Sequence, residues 1–340
     1  AFYRGGIARQ IVAAVTDAGG VISEADLASY RPVWREPVQM AFHGDTVVAM
    51  PPPSSAGVLL QVLGMIEGDD LPALGRTSAG YRHLLAEAMK HGFADRARLY
   101  GDPLFGSLPV PQLIAPANLA ALRARIQPDR VLANQDYGSG AVATADLGDD
   151  HGTSHVSVLD REGNAVACTT TINTAFGALV MAGDTGVFLN NQMDDFSAQP
   201  GVPNIYGLVG GEANAIAPGR RPLSSMSPTV VVRDGKAVLA AGGSGGPLIL
   251  SATLQSLLNT RVFALDAAQA ISAPRLHHQW LPPVLGVEPQ VAARSRAELS
   301  RRGHQVREMS FAGAVQLAQR RGGKLEGASD ARKGGEAAAW

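Results

Sequence analysis

The chain is expected to adopt an α+β fold, on three observations. Residues 6–18, 56–68 and 78–100 repeat apolar side chains at helical spacing. Residues 154–172 and 229–241 each alternate, turn on a polar tetrad containing glycine, and alternate again, as β-hairpins do. Between these parts, DYGSGAVATADLGDDHG at 136–152 has no sustained period and reads as an exposed linker where a chain is cut.

Taken in order, Ile7, Ile11, Val12 and Val15 mark one helix ended by Gly19-Gly20, and Ser23 ahead of Asp26 and Leu27 starts a second, short one. Val33 to Met50 alternates like two strands around His43-Gly44-Asp45. Pro51-Pro52-Pro53-Ser54-Ser55 then forces an extended or turning segment, because each proline fixes φ and removes a donor. Tyr81, Leu84, Leu85, Ala88, Met89 and Phe93 give the helix at 78–100 one apolar face with charges opposite. His91, Asp95 and Arg96, on or beside that helix, read as structural. Residues 101–152 read as loop-rich.

After Thr153, Ser154 to Asp160 and Ala165 to Ile172 flank the turn Arg161-Glu162-Gly163-Asn164. The strand period of two places Thr171 and Asn173 on one face of the returning strand. Thr229 to Val232 and Ala237 to Ala241 flank Arg233-Asp234-Gly235-Lys236, and Gly242-Gly243-Ser244-Gly245-Gly246-Pro247 then opens an apolar helix to about Phe263.

The totals bound the function. At 340 residues, one large unit and two domains are both allowed. A chain 46% hydrophobic and 17% charged can build a core, and a net charge of −1 makes no electrostatic case for nucleic acid or an acidic membrane surface. The single cysteine, Cys168, excludes an internal disulfide and a cysteine-based metal cluster, and its apolar strand setting reads as a small buried hydrophobe. No apolar run reaches the ~18 residues of a membrane span. Ala1-Phe2-Tyr3-Arg4 is neither an initiator methionine nor the start of a signal sequence, so the chain is expected to be a piece of something longer, with its address elsewhere.

The chemistry centres on His151-Gly152-Thr153-Ser154-His155-Val156-Ser157-Val158, where a glycine-marked loop becomes a strand. A threonine hydroxyl needs a nearby proton acceptor, and an N-terminal threonine carries one in its own α-amino group, whose pKa is about 7.7–8.0. Cutting before Thr153 would therefore create an activated nucleophile. Without that cut, Thr153 is an ordinary β-branched strand residue.

The glycine run at 242–246 admits several readings. Leu248 stands where a dinucleotide fingerprint needs a small residue, and a phosphate loop would need Lys-Ser/Thr at its end. The run does match G-x-S-x-G, with Ser244 on a strand-to-helix turn and Asp266 and His277 or His278 downstream in a permissible triad order. It also suits an oxyanion hole, with the N–H groups of Gly245 and Gly246 at a helix start. His277-His278 is not read as a metal site, since adjacent histidines diverge and no third ligand is spaced nearby.

With these pieces placed, the chain resembles the γ-glutamyltransferase (glutathione hydrolase) family of N-terminal-nucleophile hydrolases. The resemblance is carried by the Thr153 start, Thr171-x-Asn173, Leu189 to Phe196, Pro200 to Gly211, Arg221 to Thr229 and Pro274 to Trp280, and upstream by Met50 to Ser55 and Ala94-Asp95-Arg96. It implies an αββα four-layer sandwich of two antiparallel sheets between helical layers. It also implies autocleavage at Gly152/Thr153, with residues 1–152 as the C-terminal part of a large subunit and residues 153–340 as the small, catalytic subunit of one shared domain.

By the same resemblance Thr153 attacks a γ-glutamyl carbonyl to form an acyl-enzyme, which water or an amino acid resolves. Thr171 hydrogen-bonds the nucleophile, and Gly245 and Gly246 supply the oxyanion donors, which demotes Ser244 to a loop residue. Asn173, Gln192 and Asp195 hold the substrate's α-amino end, Ser224 and Ser225 its α-carboxylate, and Tyr206 sits in a lid loop at 200–211 that covers the bound glutamyl group.

Ser154 replaces a second threonine common in the family, and G-G-S-G-G-P stands where G-S-P-G-G-S is common. The family's arginine for the α-carboxylate lies in an early portion not matched here. The implied substrate is glutathione or another γ-glutamyl compound. No cofactor or metal, no nucleic acid and no membrane partner is implied, and the location is periplasmic or secreted. The competing readings are a cephalosporin (glutaryl) acylase of the same fold, disfavoured by Asp195 because a glutaryl group has no ammonium to pair, a Ser244 hydrolase, and an uncleaved inactive fragment or binding module.

Overall fold

The computed structural model describes residues 1–106, 108–138 and 152–339. Most of the expected cleavage linker, residues 139–151 with His151, lies outside the described residues. The strands are β1 (Val38–Phe42), β2 (Asp45–Ala49), β3 (Thr153–Leu159), β4 (Ala165–Thr171), β5 (Thr229–Arg233), β6 (Lys236–Ser244), β7 (Leu276–His277), β8 (Val284–Val287), β9 (Gln305–Glu308), β10 (Ala314–Arg321) and β11 (Lys324–Ser329). The helices are α1 (Gly6–Asp17), α2 (Glu24–Ser29), α3 (Ala56–Ile66), α4 (Leu71–Leu74), α5 (Ala79–Leu99), α6 (Val110–Leu113), α7 (Pro116–Arg125), α8 (Leu248–Arg261), α9 (Ala267–Ser272) and α10 (Ala293–Arg301).

A six-stranded antiparallel sheet runs β1-β2-β5-β6-β10-β11. Its centre is small and flat because β6 is rich in alanine and glycine. That smallness lets the β3–β4 hairpin stack on it face to face. A Cβ placed on Gly242 would lie 2.3 Å from the His155 ring, and one on Gly243 would lie 2.4 Å from the Ala314 carbonyl.

Along β3, Thr153 and His155 point inward while Val156 and Val158 are exposed, the alternation of a half-buried strand. Cys168 lies on the outer face of the hairpin and is exposed, contrary to the buried position expected of it, because β4 offers only alternate residues to the sheet. Three of the four expected layers are built by described residues: the hairpin, the six-stranded sheet and a helical layer. α3 and α8 cover the other face of the sheet, against β1, β2, β6 and β10.

α3 is apolar on every side, so it is buried on every side, between the sheet and α5, α7 and α8. Burying each Leu or Val there is worth roughly 1.5–3 kcal/mol. α5 departs from expectation. Its sequence suggested an apolar face with charges opposite, yet Arg82, Glu87, Lys90, Asp95 and Arg96 are all buried. They survive burial by pairing: Lys90 bonds Glu87 at 2.6 Å, Tyr137 donates to Glu87 at 2.5 Å, and Gln61 donates to Asp95 at 2.6 Å.

The other expected elements occur as read, including the Ser23–Asp26 capping box that opens α2. The stretch read as loop-rich also holds α7, and β1 starts at Val38 rather than near Val33. Among the described residues no helix is long and apolar enough to cross a membrane.

Candidate active site

Thr153 opens β3 opposite Thr171, the last residue of β4, and both hydroxyls point into the space between hairpin and sheet. Thr153 Oγ1 lies 2.9 Å from Thr171 Oγ1. The backbone N–H of Asn173 donates to Thr171 Oγ1 at 2.9 Å. With that lone pair taken, Thr171 is best used as the donor toward Thr153, the polarity that stabilises a nucleophile gaining charge. β4 ends at Thr171 and Asn173 takes a left-handed φ of 78°, so a turn, and not the strand period, brings these two residues together.

The residue ahead of Thr153 has no room for a side chain. A Cβ on Gly152 would lie 2.0 Å from the Thr174 carbonyl oxygen. On the far side, Lys333 donates to the Thr153 carbonyl. His155, two residues along the same face, is not a base for Thr153. Its Nδ1 pairs with Thr169 at 2.7 Å and its Nε2 with Ser157 at 3.0 Å, while Ser157 donates to the Gln316 carbonyl at 2.9 Å. That chain sets the proton on Nε2, and burial lowers the pKa to about 4. A cut before Thr153 would give it a proton acceptor in its own α-amino group.

Asn173 is the hub of the next ring. Its Nδ2 donates to the Asn191 carbonyl at 3.2 Å and its Oδ1 accepts from the Tyr206 hydroxyl at 2.8 Å. Asn191 Oδ1 in turn accepts from Thr174 N–H at 3.0 Å, which ties the 3₁₀ turn Gln192–Asp195 to the end of β4. Gln192 and Asp195 are therefore presented from one short turn.

The loop expected at 200–211 folds back on itself, with Gly201 N–H bonded to Gly210 O and Asn204 N–H to Leu208 O. Asn204 Oδ1 accepts from the N–H groups of both Tyr206 and Leu208. This cage drives Tyr206 inward until it is 2% exposed. Its ring then lies over Gly246, where a Cβ would approach it to 3.1 Å.

Gly245 and Gly246, at φ of 127° and 52°, turn the chain from β6 into α8. Among the described residues their N–H groups have no backbone partner, and they stand at the positive end of a 14-residue helix. Ser244 is 4% exposed and paired in the ladder with Ala314. The alternative triad is not assembled. Asp266 caps α9, His277 bonds Ser251 and Gln279, and His278 accepts from Trp280 N–H.

Ser224 and Ser225 lie in an extended segment beside the proline-rich turn. Ser224 N–H bonds the Pro53 carbonyl, and Ser55 Oγ donates to the Ser224 carbonyl at 2.7 Å.

Sequence reasoning did not find the groups that hold this framework: Asn191, Asn204, Lys333 and Gln279, whose amide donates to the Tyr206 carbonyl at 2.9 Å. It also missed a buried cluster of His83, Glu87 and His304, whose polar atoms lie within 4.8 Å of one another. Direct bonds hold the cluster together, His83 to His304 at 2.8 Å and Lys90 to Glu87 at 2.6 Å, while His304 Nδ1 has no hydrogen-bond partner among the described residues. With an ammonium already seated on its carboxylate, it reads as a structural network.

A threonine pair at the mouth of a strand, two sheets face to face and glycine N–H groups at a helix start define the class: an N-terminal-nucleophile hydrolase fold. The structure superposes on a cephalosporin acylase from Bacillus halodurans with a TM-score of 0.85 at 27% identity, covering 100% of this chain and 59% of that one. It matches a mutant of Helicobacter pylori γ-glutamyltranspeptidase with a TM-score of 0.51 at 43% identity, covering 53% of this chain and 99% of that one. In sequence it is 43% identical over 333 residues to the glutathione hydrolase proenzyme of Escherichia coli strain K12, covering 97% of this chain and 57% of the relative. The family profile described as Gamma-glutamyltranspeptidase matches residues 1–340. The chain belongs to the γ-glutamyltranspeptidase family, and it spans somewhat over half the length of that Escherichia coli relative.

Proposed function

We propose that the protein is a γ-glutamyl hydrolase and transpeptidase that cleaves glutathione and related γ-glutamyl compounds through an ester on Thr153. The observation that carries this reading is the 2.9 Å contact between Thr153 and Thr171 at the head of β3, directly behind a glycine that cannot be replaced. In the first step Thr153 Oγ1 attacks the Gly152 carbonyl, and an acyl shift followed by hydrolysis frees the α-amino group. Residues 1–152 and 153–340 then form two subunits of one domain.

In turnover the α-amino group takes the hydroxyl proton, Thr171 steadies the oxygen, and Gly245 and Gly246 receive the charge on the carbonyl oxygen. The departing amine takes the proton back. Water or an amino acid then attacks the γ-glutamyl ester and restores Thr153. Asp195, with Asn173 and Gln192, pairs the α-ammonium, Ser224 and Ser225 receive the α-carboxylate, and Tyr206 closes the site against solvent. The reading includes export to the periplasm or beyond, which rests on the family resemblance and is checked by cell fractionation.

The test is intact mass together with hydrolysis of γ-glutamyl-p-nitroanilide, beside a Thr153→Ala copy. Two fragments meeting at Gly152/Thr153 and anilide hydrolysis, both absent from the copy, are the expected result. Hydrolysis that survives Thr153→Ala would sink the reading.

A second reading, a glutaryl-type acylase, is favoured by the superposition on the cephalosporin acylase. Asp195 beside the site argues for a substrate that carries an ammonium. The two separate on paired substrates: a γ-glutamyl enzyme prefers the γ-glutamyl anilide and loses that preference in Asp195→Asn, whereas an acylase prefers the glutaryl anilide from the start.

A further inference from the structure

Two motifs upstream of the nucleophile, Met50 to Ser55 and Ala94-Asp95-Arg96, have no part in the chemistry described above. They meet behind the serine pair. Arg96 is 5% exposed, and its Nε donates to Ser55 Oγ at 2.7 Å while its Nη2 donates to Ser225 Oγ at 3.2 Å. Ser55, having accepted from Arg96, spends its own hydrogen on the Ser224 carbonyl at 2.7 Å. Ser224 Oγ accepts from Met226 N–H at 3.1 Å. Each serine oxygen of the pair is thus already engaged by a donor from within the protein. A hydroxyl whose oxygen is accepting has its hydrogen left to give. The pair is set as two donors, the polarity an anion requires.

The guanidinium contributes its charge as well. Burial lowers the Arg96 pKa to about 10, which leaves it cationic at neutral pH, and Asp195 opposes that shift. Arg96 thus bonds Ser225 of the pair and also interacts electrostatically with the carboxylate that would face an ammonium.

We propose that Arg96 is the positioning residue of the amino-acid end of the site: it sets the hydroxyl polarity of Ser225 directly, fixes the Ser224 backbone through Ser55, and thereby makes the pair selective for a substrate bearing an α-carboxylate. The inference rests on the γ-glutamyl reading and deepens it. Arg96 acts through the serines, as the bonds of its fork go to Ser55 and Ser225. A lysine in its place would keep the charge and lose the two-ended geometry.

The experiment compares the natural full-length protein with Arg96→Lys and Ser55→Ala on two anilides, γ-glutamyl-p-nitroanilide and 4-aminobutyryl-p-nitroanilide, which lacks only the α-carboxylate. Where turnover of the second is slow, its inhibition constant against the first is read instead. Arg96→Lys is expected to raise KM for the γ-glutamyl anilide about tenfold, the size of one lost hydrogen bond to a charged group, with kcat little changed. The 4-aminobutyryl anilide should be bound as before, so the preference between the two collapses. Ser55→Ala, a small change that serves if Arg96→Lys does not fold, should shift the same ratio in the same direction by a smaller factor.

A parallel loss on both substrates would mean that Arg96 only supports the fold, and an unchanged ratio in both folded variants would likewise overturn the proposal. An unchanged protein that does not hydrolyse the γ-glutamyl anilide would instead remove the functional reading, and this inference with it.

Discussion

Thr171→Val is the sharpest perturbation of the proposed chemistry. Valine keeps the volume and β-branching that suit the end of β4, but it removes the hydroxyl 2.9 Å from Thr153 Oγ1 and the acceptor for the Asn173 N–H. To a neutral oxygen such a bond is worth about 1 kcal/mol, whereas to one gaining charge it is worth about 1.5–3 kcal/mol. The difference, about 0.5–2 kcal/mol, appears in the rate at about 1.4 kcal/mol per decade, so acylation should slow roughly 2–30-fold while substrate binding changes little. In the proposed self-cleavage the same hydroxyl would steady Thr153, so maturation should slow too. The assay is the burst of p-nitroaniline from γ-glutamyl-p-nitroanilide, expressed per cleaved Thr153 so that poor maturation does not pass for poor catalysis. Thr171→Ser restores the hydroxyl and should recover most of the rate. A matured Thr171→Val protein that acylates as fast as the unchanged one would refute the reasoning.

Gly152→Ala forces a methyl to within 2.0 Å of the Thr174 carbonyl; self-cleavage should be blocked or greatly slowed, visible as a single uncut mass. Tyr206→Phe deletes the bond to Asn173 Oδ1, a loss of about 0.5–1.5 kcal/mol; faster amide exchange in the 200–211 loop is expected, and unchanged exchange would contradict the anchoring described. His155 and His277 are held neutral by burial, each with its pKa lowered from 6.5 to about 4. Below about pH 6.5 the unfolded chain takes up these protons and the folded one does not, so the stability they contribute is full above that pH and is lost as the pH falls toward about 4. Thermal melts between those limits should fall steeply, and less steeply in His155→Gln.

What was legible in the chain was local. The hairpins 153–171 and 229–244 announce themselves because alternation, a tight turn and the partner strand all lie within twenty residues or so. β10 could not be seen in the same way: it pairs with β6 across some seventy residues, and its alternation is weak because both its faces are covered. The charges of α5 misled for a related reason. Periodicity counts a lysine as surface; Glu87 lies one helical turn from Lys90, but only the fold buries the pair and brings Tyr137 to it. Within the site, Thr153 and the glycine pair stood out by their places at a strand start and a helix start, whereas the contact between Thr153 and Thr171 was expected only from the family resemblance. The glycine run left several readings open until Ser244 was found locked in the ladder beside Ala314. Arg96 was noticed as part of a motif and taken as merely structural, since Ser55 and Ser225 stand 41 and 129 positions away from it.

The pairing of β2 with β5, Thr46 to Ala49 against Val232 to Thr229, stitches residues from before Gly152 to residues after Thr153 in the middle of a sheet. A nick at that peptide bond would therefore not produce two bodies that meet at a surface. Each piece would be left with half of an interior, and neither could be released, replaced or traded between copies without unfolding both. Maturation of such a molecule would be a one-way change in connectivity made after the shape is complete, and its two chains would live, and be degraded, as a single object.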